Sequence, residues 1–131
     1  MILTGAFLAE AAATVDNKLN VSGGVVSRFV VGPDRWVSLV LVVLTRADSG
    51  DGEKDAGHTV DVEIKPPTLD NSAHQRFELP DASIGEFPGY AFFDIQVQLP
   101  YDGRWSVEVT GGGQTISLPL LVESWTPPSD I

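Results

Sequence analysis

At residues 35–45 the chain reads Arg35-Trp36-Val37-Ser38-Leu39-Val40-Leu41-Val42-Val43-Leu44-Thr45, and this stretch decides the fold. Its β-branched residues favour a pleated strand, and it is too short to cross a membrane as a helix. Successive strand residues point to opposite faces, and here both faces are apolar. One face carries large side chains whose burial is worth about 6–12 kcal/mol, at roughly 1.5–3 kcal/mol each: Val37, Leu39, Leu41 and Val43. We therefore expect one face to meet the core. The other must be covered by another segment of this chain or by another chain.

The bulk composition narrows the class of protein. The chain has 131 residues, of which 43% are hydrophobic, and none is cysteine. This length fits one domain, which we place at residues 1–124, with a C-terminal tail at 125–131. The absence of cysteine excludes disulfides and thiolate metal sites, and it fits a reducing compartment. A net charge of −10, with only eight scattered Lys and Arg residues, argues against nucleic-acid binding and against membrane attachment.

The segments before the central stretch have the pattern of a hairpin. We predict a strand over residues 2–15, a two-residue turn at Asp16-Asn17, and a long strand over 18–31 that a bulge or bend interrupts at Gly23-Gly24. The first segment resembles a signal peptide in its apolar content. It lacks a basic start, and polar or glycine residues interrupt it. We therefore expect a cytoplasmic protein.

The segments after the central stretch alternate between apolar and polar residues, and turn residues separate them. They predict strands near residues 58–65, 75–79, 90–99, 104–110 and 115–123. No long amphipathic helix is apparent. The whole pattern predicts an all-β fold, an antiparallel β-sandwich of about seven to nine strands, with a closed β-barrel as the alternative.

A short motif near the C-terminus resembles a known corner. Asp102-Gly103-Arg104-Trp105-Ser106-Val107 resembles the corner motif of immunoglobulin-like and fibronectin-like sandwiches, in which an aromatic residue follows an Asp-containing turn, two residues before a core position. Here Trp105 stands where tyrosine is usual, and Val107 where antibody domains have cysteine. The resemblance implies an immunoglobulin-like Greek key. With tryptophan in place of tyrosine, the indole N–H of Trp105 would have to donate the corner hydrogen bond.

A second resemblance covers the N-terminal part. Residues 8–24, which read Leu-Ala-Glu-Ala-Ala-Ala-Thr-Val-Asp-Asn-Lys-Leu-Asn-Val-Ser-Gly-Gly, look like the opening of an uncharacterised bacterial, actinobacterial-like β-sandwich family. With the central stretch and the final hairpin, the similarity extends over most of the chain. The family implies no catalytic residues.

One segment has the composition of a metal site. The loop after the central stretch is acidic and glycine-rich, and its carboxylates suit calcium in type: Asp48, Asp51, Glu53 and Asp55. Its spacing does not match an EF-hand, because glycines occupy ligand positions. We prefer the alternative, a solvated loop without a cofactor.

No paired acid–base arrangement or nucleophile elbow is apparent in the sequence, so we expect no catalytic residues and no enzyme activity. We predict an interaction or structural module that self-associates or joins a larger protein complex. The interface would use apolar residues that remain available after the core has formed: Val37, Leu39, Leu41, Val43, Tyr90, Phe92 and Trp125. The alternative is a module that binds a glycan or calcium through loops at one end of the sandwich.

Overall fold

Ten strands make up most of the computed structural model, which describes residues 1–47 and 58–125. Within these residues there is one short 3₁₀ helix and no α-helix. The strands are β1 (Ile2–Ala9), β2 (Ala11–Val15), β3 (Lys18–Ser22), β4 (Arg28–Val31), β5 (Trp36–Arg46), β6 (Thr59–Lys65), β7 (Ala73–Glu78), β8 (Gly89–Gln98), β9 (Gly103–Gly111) and β10 (Gln114–Ser124), and the 3₁₀ helix is η1 (Asp81–Ser83).

The strands form two larger sheets and one hairpin. The first sheet has the order β1-β5-β8, and the second has the order β4-β10-β9-β6-β7. Strands β2 and β3 pair only with each other. The main apolar core takes buried side chains from both larger sheets, so they pack as the layers of a sandwich. The all-β, sandwich-like class predicted from the sequence is confirmed.

Strand β5 lies at the centre of the first sheet, as its sequence predicts. It pairs antiparallel with β1 on one side and with β8 on the other. Its inner face is enclosed in the main core, where each side chain is at most 4% exposed: Val37, Leu39, Leu41 and Val43. Alternate residues of β6, β9 and β10 pack against this face, and alternate residues of β8 extend it within the first sheet, so the apolar residues of the predicted alternation face the core.

The middle of the outer face of β5 is covered by the same chain, whereas Trp36 at the start of the strand is 57% exposed. Val40 is 8% exposed and Val42 is 0% exposed, yet neither belongs to the main core. After β1 the chain turns at Glu10, and the β2–β3 hairpin folds back over this face. The Tyr90 hydroxyl and Thr14 Oγ1 lie 2.9 Å apart. The sequence left open whether another segment of this chain or another chain covers this face. The structure shows a cover made by the chain itself.

The segment after β3 also packs against this outer face. A Cβ built on Gly24 would come within 3.3 Å of the Phe7 ring of β1 and within 2.9 Å of Val21. The Val26 N–H donates to the Leu8 carbonyl at 2.7 Å. These contacts attach the end of the hairpin to the edge of the first sheet.

The predicted long strand over residues 18–31 is wrong. Its first part is β3, which ends at Ser22, and its last part is β4, which belongs to the second sheet. The break falls at Gly23, whose φ of +65° is unfavourable for most other residues. Strand β4 then pairs parallel with β10, an exception to the antiparallel pattern. Of the predicted bulge or bend at these glycines, the structure has a bend at Gly23, and it marks a crossing between the sheets.

The turn predicted at Asp16-Asn17 agrees with the structure. Asp16 and Asn17 have φ values of 53° and 61°, the backbone that a two-residue hairpin turn requires. Gly112 and Gly113 do the same between β9 and β10, with φ values of 58° and 78°. Both turns join strands that pair directly along the chain.

Candidate binding surface at the free edge of strand β8

The residues predicted for an interface separate into two groups. Four of them form the inner face of β5 and are enclosed by their own chain: Val37, Leu39, Leu41 and Val43. Tyr90 and Phe92 lie on β8 and remain half-buried, with their rings stacked at a centroid distance of 6.5 Å. Trp125 follows β10 and is 59% exposed. In the folded subunit, only the second group is accessible to a partner.

Strand β8 has one paired edge and one edge without a partner among the described strands. The Leu99 N–H donates to the Arg35 carbonyl at 3.0 Å, and this pair continues the β5–β8 register. Hydrogen-bonded pairs alternate along an antiparallel ladder, so the odd-numbered residues of β8 bond to β5. The remaining residues direct their N–H and C=O groups to the free edge: Tyr90, Phe92, Asp94, Gln96 and Gln98.

This edge lacks most of the features that prevent strands from pairing with other molecules. Strand β8 is ten residues long, contains no proline or lysine, and carries a single charge at Asp94. Strand β7, one of the two edge strands of the other sheet, has six residues. The Leu79 N–H donates to the His58 carbonyl, so by the same alternation the odd-numbered residues of β7 bond to β6. The β7 residues that direct their backbone groups to its free edge are His74, Arg76 and Glu78. The free edges of β8 and β7 therefore differ in length and in charge.

The outer face of the second sheet is polar and carries cross-strand ion pairs. Arg76 Nε lies 2.7 Å from Asp61 Oδ1, and Lys65 Nζ lies 3.1 Å from Glu108 Oε1. The hydrogen bond with Lys65 lowers the pKa of Glu108 and raises that of Lys65. A cleft of about 380 Å³ on this face is lined by Asp61, Arg76 and Glu108, together with Glu63 and His74. These paired charges are solvated and add little to stability.

A network at the start of β5 ties the two sheets together. The Arg35 guanidinium donates to the Leu99 carbonyl at 2.7 Å, to Ser124 Oγ at 2.9 Å, and to Asp102 Oδ1 at 2.7 Å. Hydrogen bonds from Ser124 and Arg35 hold the pKa of the Asp102 carboxyl below its ordinary value. Nothing in the sequence singled out Arg35. The feature of the sequence that could have identified Arg35 is the turn Gly32-Pro33-Asp34, which directly precedes it. In the structure Arg35 continues this turn with a positive φ of 59°.

The corner predicted from the sequence motif is present. Trp105 is 4% exposed, and its Nε1–H donates to the Tyr101 carbonyl, four residues earlier, at 2.9 Å. The indole N–H therefore makes a hydrogen bond to the backbone upstream, as the tyrosine hydroxyl does in the corner that this motif resembles.

The predicted acidic metal site, Asp48, Asp51, Glu53 and Asp55, lies outside the described residues. Within residues 1–47 and 58–125, no group of three or more His, Asp or Glu side chains is arranged to hold a metal ion. The part of the chain that the structure describes also contains no helix long and apolar enough to cross a membrane.

No protein-family model matches the chain, and no curated protein matches it. Function therefore has to be argued from the surfaces described above.

Proposed function

We propose that this protein is a non-catalytic interaction module that pairs with a second copy of itself through the free edge of β8. The observation that carries the proposal is the row of outward-facing backbone groups between Tyr90 and Gln98, on a long strand with one charge. Main-chain hydrogen bonds to an added strand supply affinity in this kind of recognition. A bacterial cytoplasmic setting, and membership in the β-sandwich family that the N-terminal part resembles, belong to the same proposal.

The charge on Asp94 restricts how two copies can pair. In a two-fold symmetric antiparallel pair, the central residue faces its own copy. A two-fold axis at Asp94 would place two carboxylates opposite each other, which is destabilising. An axis at Phe93 places Asp94 opposite Phe92, and an axis at Ile95 places it opposite Gln96. We propose one of these two registers, which would join two three-stranded sheets into one of six strands.

Strand pairing also supports an immunoglobulin-like Greek key as part of the proposal. Strand β5 pairs with β8, β6 with β9, and β9 with β10. Strands B, C, E, F and G of immunoglobulin domains pair in the same way, as B with E, C with F, and F with G. The Trp105 corner at the start of β9 corresponds to the corner on strand F.

The test is molar mass by light scattering over a range of protein concentration. We expect a mass above one chain for the unaltered protein and a single-chain mass for Gln96→Pro, which removes one N–H directed at the free edge. Arg76→Pro makes the matched change on the edge of β7 and should leave the mass unchanged. Because each copy carries a charge of −10, added salt should strengthen association. A single-chain mass for the unaltered protein at every concentration and salt level contradicts the proposal.

The alternative function, a ligand-binding module at one end of the sandwich, has a specific observation in its favour. A cleft that contains an exposed aromatic ring opens at the end where β8 gives way to β9. The calcium version of this alternative depends on the acidic loop outside the described residues.

A further inference from the structure

A cleft of about 290 Å³ lies between the segment that joins β6 to β7 and the turn that joins β8 to β9. Its walls combine aromatic, amide and carboxylate side chains with proline and apolar groups. The residues that matter for a ligand are Asp70, Asn71, Gln98, Tyr101 and Trp105. Its volume is at the lower end of the range of about 300–1,000 Å³ that small-molecule sites occupy. The cleft therefore suits a ligand of one or two rings.

Tyr101 is the accessible aromatic group in this cleft, and both its side-chain hydroxyl and its backbone carbonyl interact with neighbouring residues. Its side chain is 40% exposed. Its hydroxyl interacts with the Asp70 carboxylate, and this interaction raises the pKa of Tyr101. Its carbonyl accepts the indole N–H of Trp105 at 2.9 Å. A ring fixed in this way loses little conformational entropy when a ligand stacks on it.

The polar side chains of the cleft are also oriented before any ligand arrives. Asp70 Oδ2 accepts a hydrogen bond from the Thr68 hydroxyl at 3.1 Å, and the Asp70 N–H donates to the same hydroxyl at 3.2 Å. The Gln98 amide donates to the Asp34 carbonyl at 3.1 Å. Each of these bonds leaves further acceptor positions on the carboxylate and on the amide oxygen.

The chemistry of the lining decides the class of ligand. Among the described residues that line the cleft there is no Lys, Arg or His, and the one carboxylate, that of Asp70, disfavours anions. Amides and a carboxylate bind hydroxyl groups well, and an aromatic face packs against aliphatic C–H groups. A sugar ring presents both features, since its hydroxyls project from the rim and its C–H groups lie on its faces.

We propose that this cleft binds a neutral carbohydrate, with one ring stacked on Tyr101 and its hydroxyls bonded to Asp70, Asn71 and Gln98. This site is separate from strand pairing, although Gln98 also lies at the end of β8. The variants below leave Gln98 unchanged so that the two proposals can fail independently.

The experiment is a titration of the ¹⁵N-labelled protein with neutral monosaccharides and disaccharides, one at a time, followed by NMR. We expect at least one sugar to shift the amides of Asp70, Asn71 and Tyr101 and the indole N–H of Trp105. A Kd on the order of 1 mM corresponds to about 4 kcal/mol, which suits a small open site. Tyr101→Ala should weaken binding about tenfold or more, and Asn71→Ala should weaken it several-fold.

Matched controls make the result specific. Trp125→Ala removes an exposed aromatic group outside the cleft and should leave sugar binding unchanged. Tyr101→Phe keeps the ring but loses the bond to Asp70, so it should bind more weakly than the unaltered protein and more tightly than Tyr101→Ala. The proposal is overturned if no sugar shifts these resonances, if glycerol shifts them equally, or if inorganic phosphate shifts them when sugars do not. Equal loss of binding in Trp125→Ala also overturns it.

Discussion

Strand β5 buries side chains on both of its faces, and different parts of the chain cover them, although Trp36 and Ser38 on the outer face stay exposed. Val43, on the inner face, and Val42, on the outer face, are adjacent and are each 0% exposed. Val43 belongs to the core between two sheets, whereas Val42 lies beneath a two-stranded hairpin that pairs with no other strand. Burial alone therefore does not show how firmly a side chain is enclosed. The inner cover is a sheet of five strands, and the outer cover is a small flap.

The largest effect we expect comes from placing a charge on the inner face. Leu41→Glu would put an unpaired carboxylate in the centre of the main core, at a cost of about 4 kcal/mol or more. The variant should not fold, as judged by far-ultraviolet circular dichroism. Ser38→Glu, on an exposed outer-face position of the same strand, is the control and should fold. A folded Leu41→Glu protein would contradict the placement of the core.

A smaller effect compares the two faces directly. Val43→Ala removes about two methylene equivalents at roughly 0.8 kcal/mol each and leaves a cavity that rigid sheets close poorly. We expect a loss of about 2–3 kcal/mol in the free energy of unfolding, measured in denaturant. Val42→Ala should cost about 1 kcal/mol less, because the hairpin can settle into the space. Equal losses would show that the hairpin is as rigid as the sheet.

The network of Arg35, Asp102 and Ser124 that joins the two sheets should make a pH-dependent contribution to the stability of the protein. Since the pKa of Asp102 is lowered in the folded protein, its contribution to stability is present above the ordinary value near 3.8 and is lost as the pH falls through the lowered pKa. Asp102→Asn should therefore melt at a lower temperature than the unaltered protein at neutral pH. The difference in Tm should narrow as the pH falls below 3.8, because the Asp102 carboxyl of the unaltered protein becomes protonated when the pH passes through its lowered pKa.

A second variant separates charge from geometry in this network. Arg35→Lys keeps the positive charge but loses the planar fork that reaches Leu99, Ser124 and Asp102. Its Tm should fall at neutral pH despite the retained charge. If the Tm of Arg35→Lys equals that of the unaltered protein, the hydrogen bonds of the guanidinium are not what joins the strands.

The smallest effect concerns the outer cover. Asn17 has a φ of 61° in the hairpin turn, a conformation that glycine adopts without strain. Asn17→Gly should raise the free energy of unfolding by about 0.5 kcal/mol and slow amide exchange in β2 and β3. Faster exchange in these two strands would mean that the turn is not the one described.

Much of this fold could be predicted from local patterns. Alternation identified the inward residues of β6 and β9, and the motif around Trp105 predicted a corner bond that the structure contains. The split of residues 18–31 could not be predicted, because pairing of β4 with β10 is a contact between distant parts of the chain. The role of Arg35 was hidden for the same reason, since its partners lie 64 to 89 residues away.

The candidate surfaces were less predictable than the core. Two apolar faces on β5 indicated that a second cover was needed, but the pattern is the same whether the cover is a hairpin or another molecule. Tyr90 and Phe92 were identified as accessible apolar residues, and they lie on the edge strand. The cleft beside Tyr101 depends on Asp70 and Gln98, which only the folded chain brings together.

The most direct test of the central claim is an isotope-filtered NOE experiment on a mixture of labelled and unlabelled protein. The claim is that the chain covers the outer face of its own β5. We predict a strong NOE between the Tyr90 ring and the Thr14 methyl group in the uniformly labelled sample, because the two hydroxyl oxygens lie 2.9 Å apart. The same NOE should be absent from the spectrum that selects contacts between labelled and unlabelled chains. Its presence in that spectrum, or its absence from both, would contradict the claim.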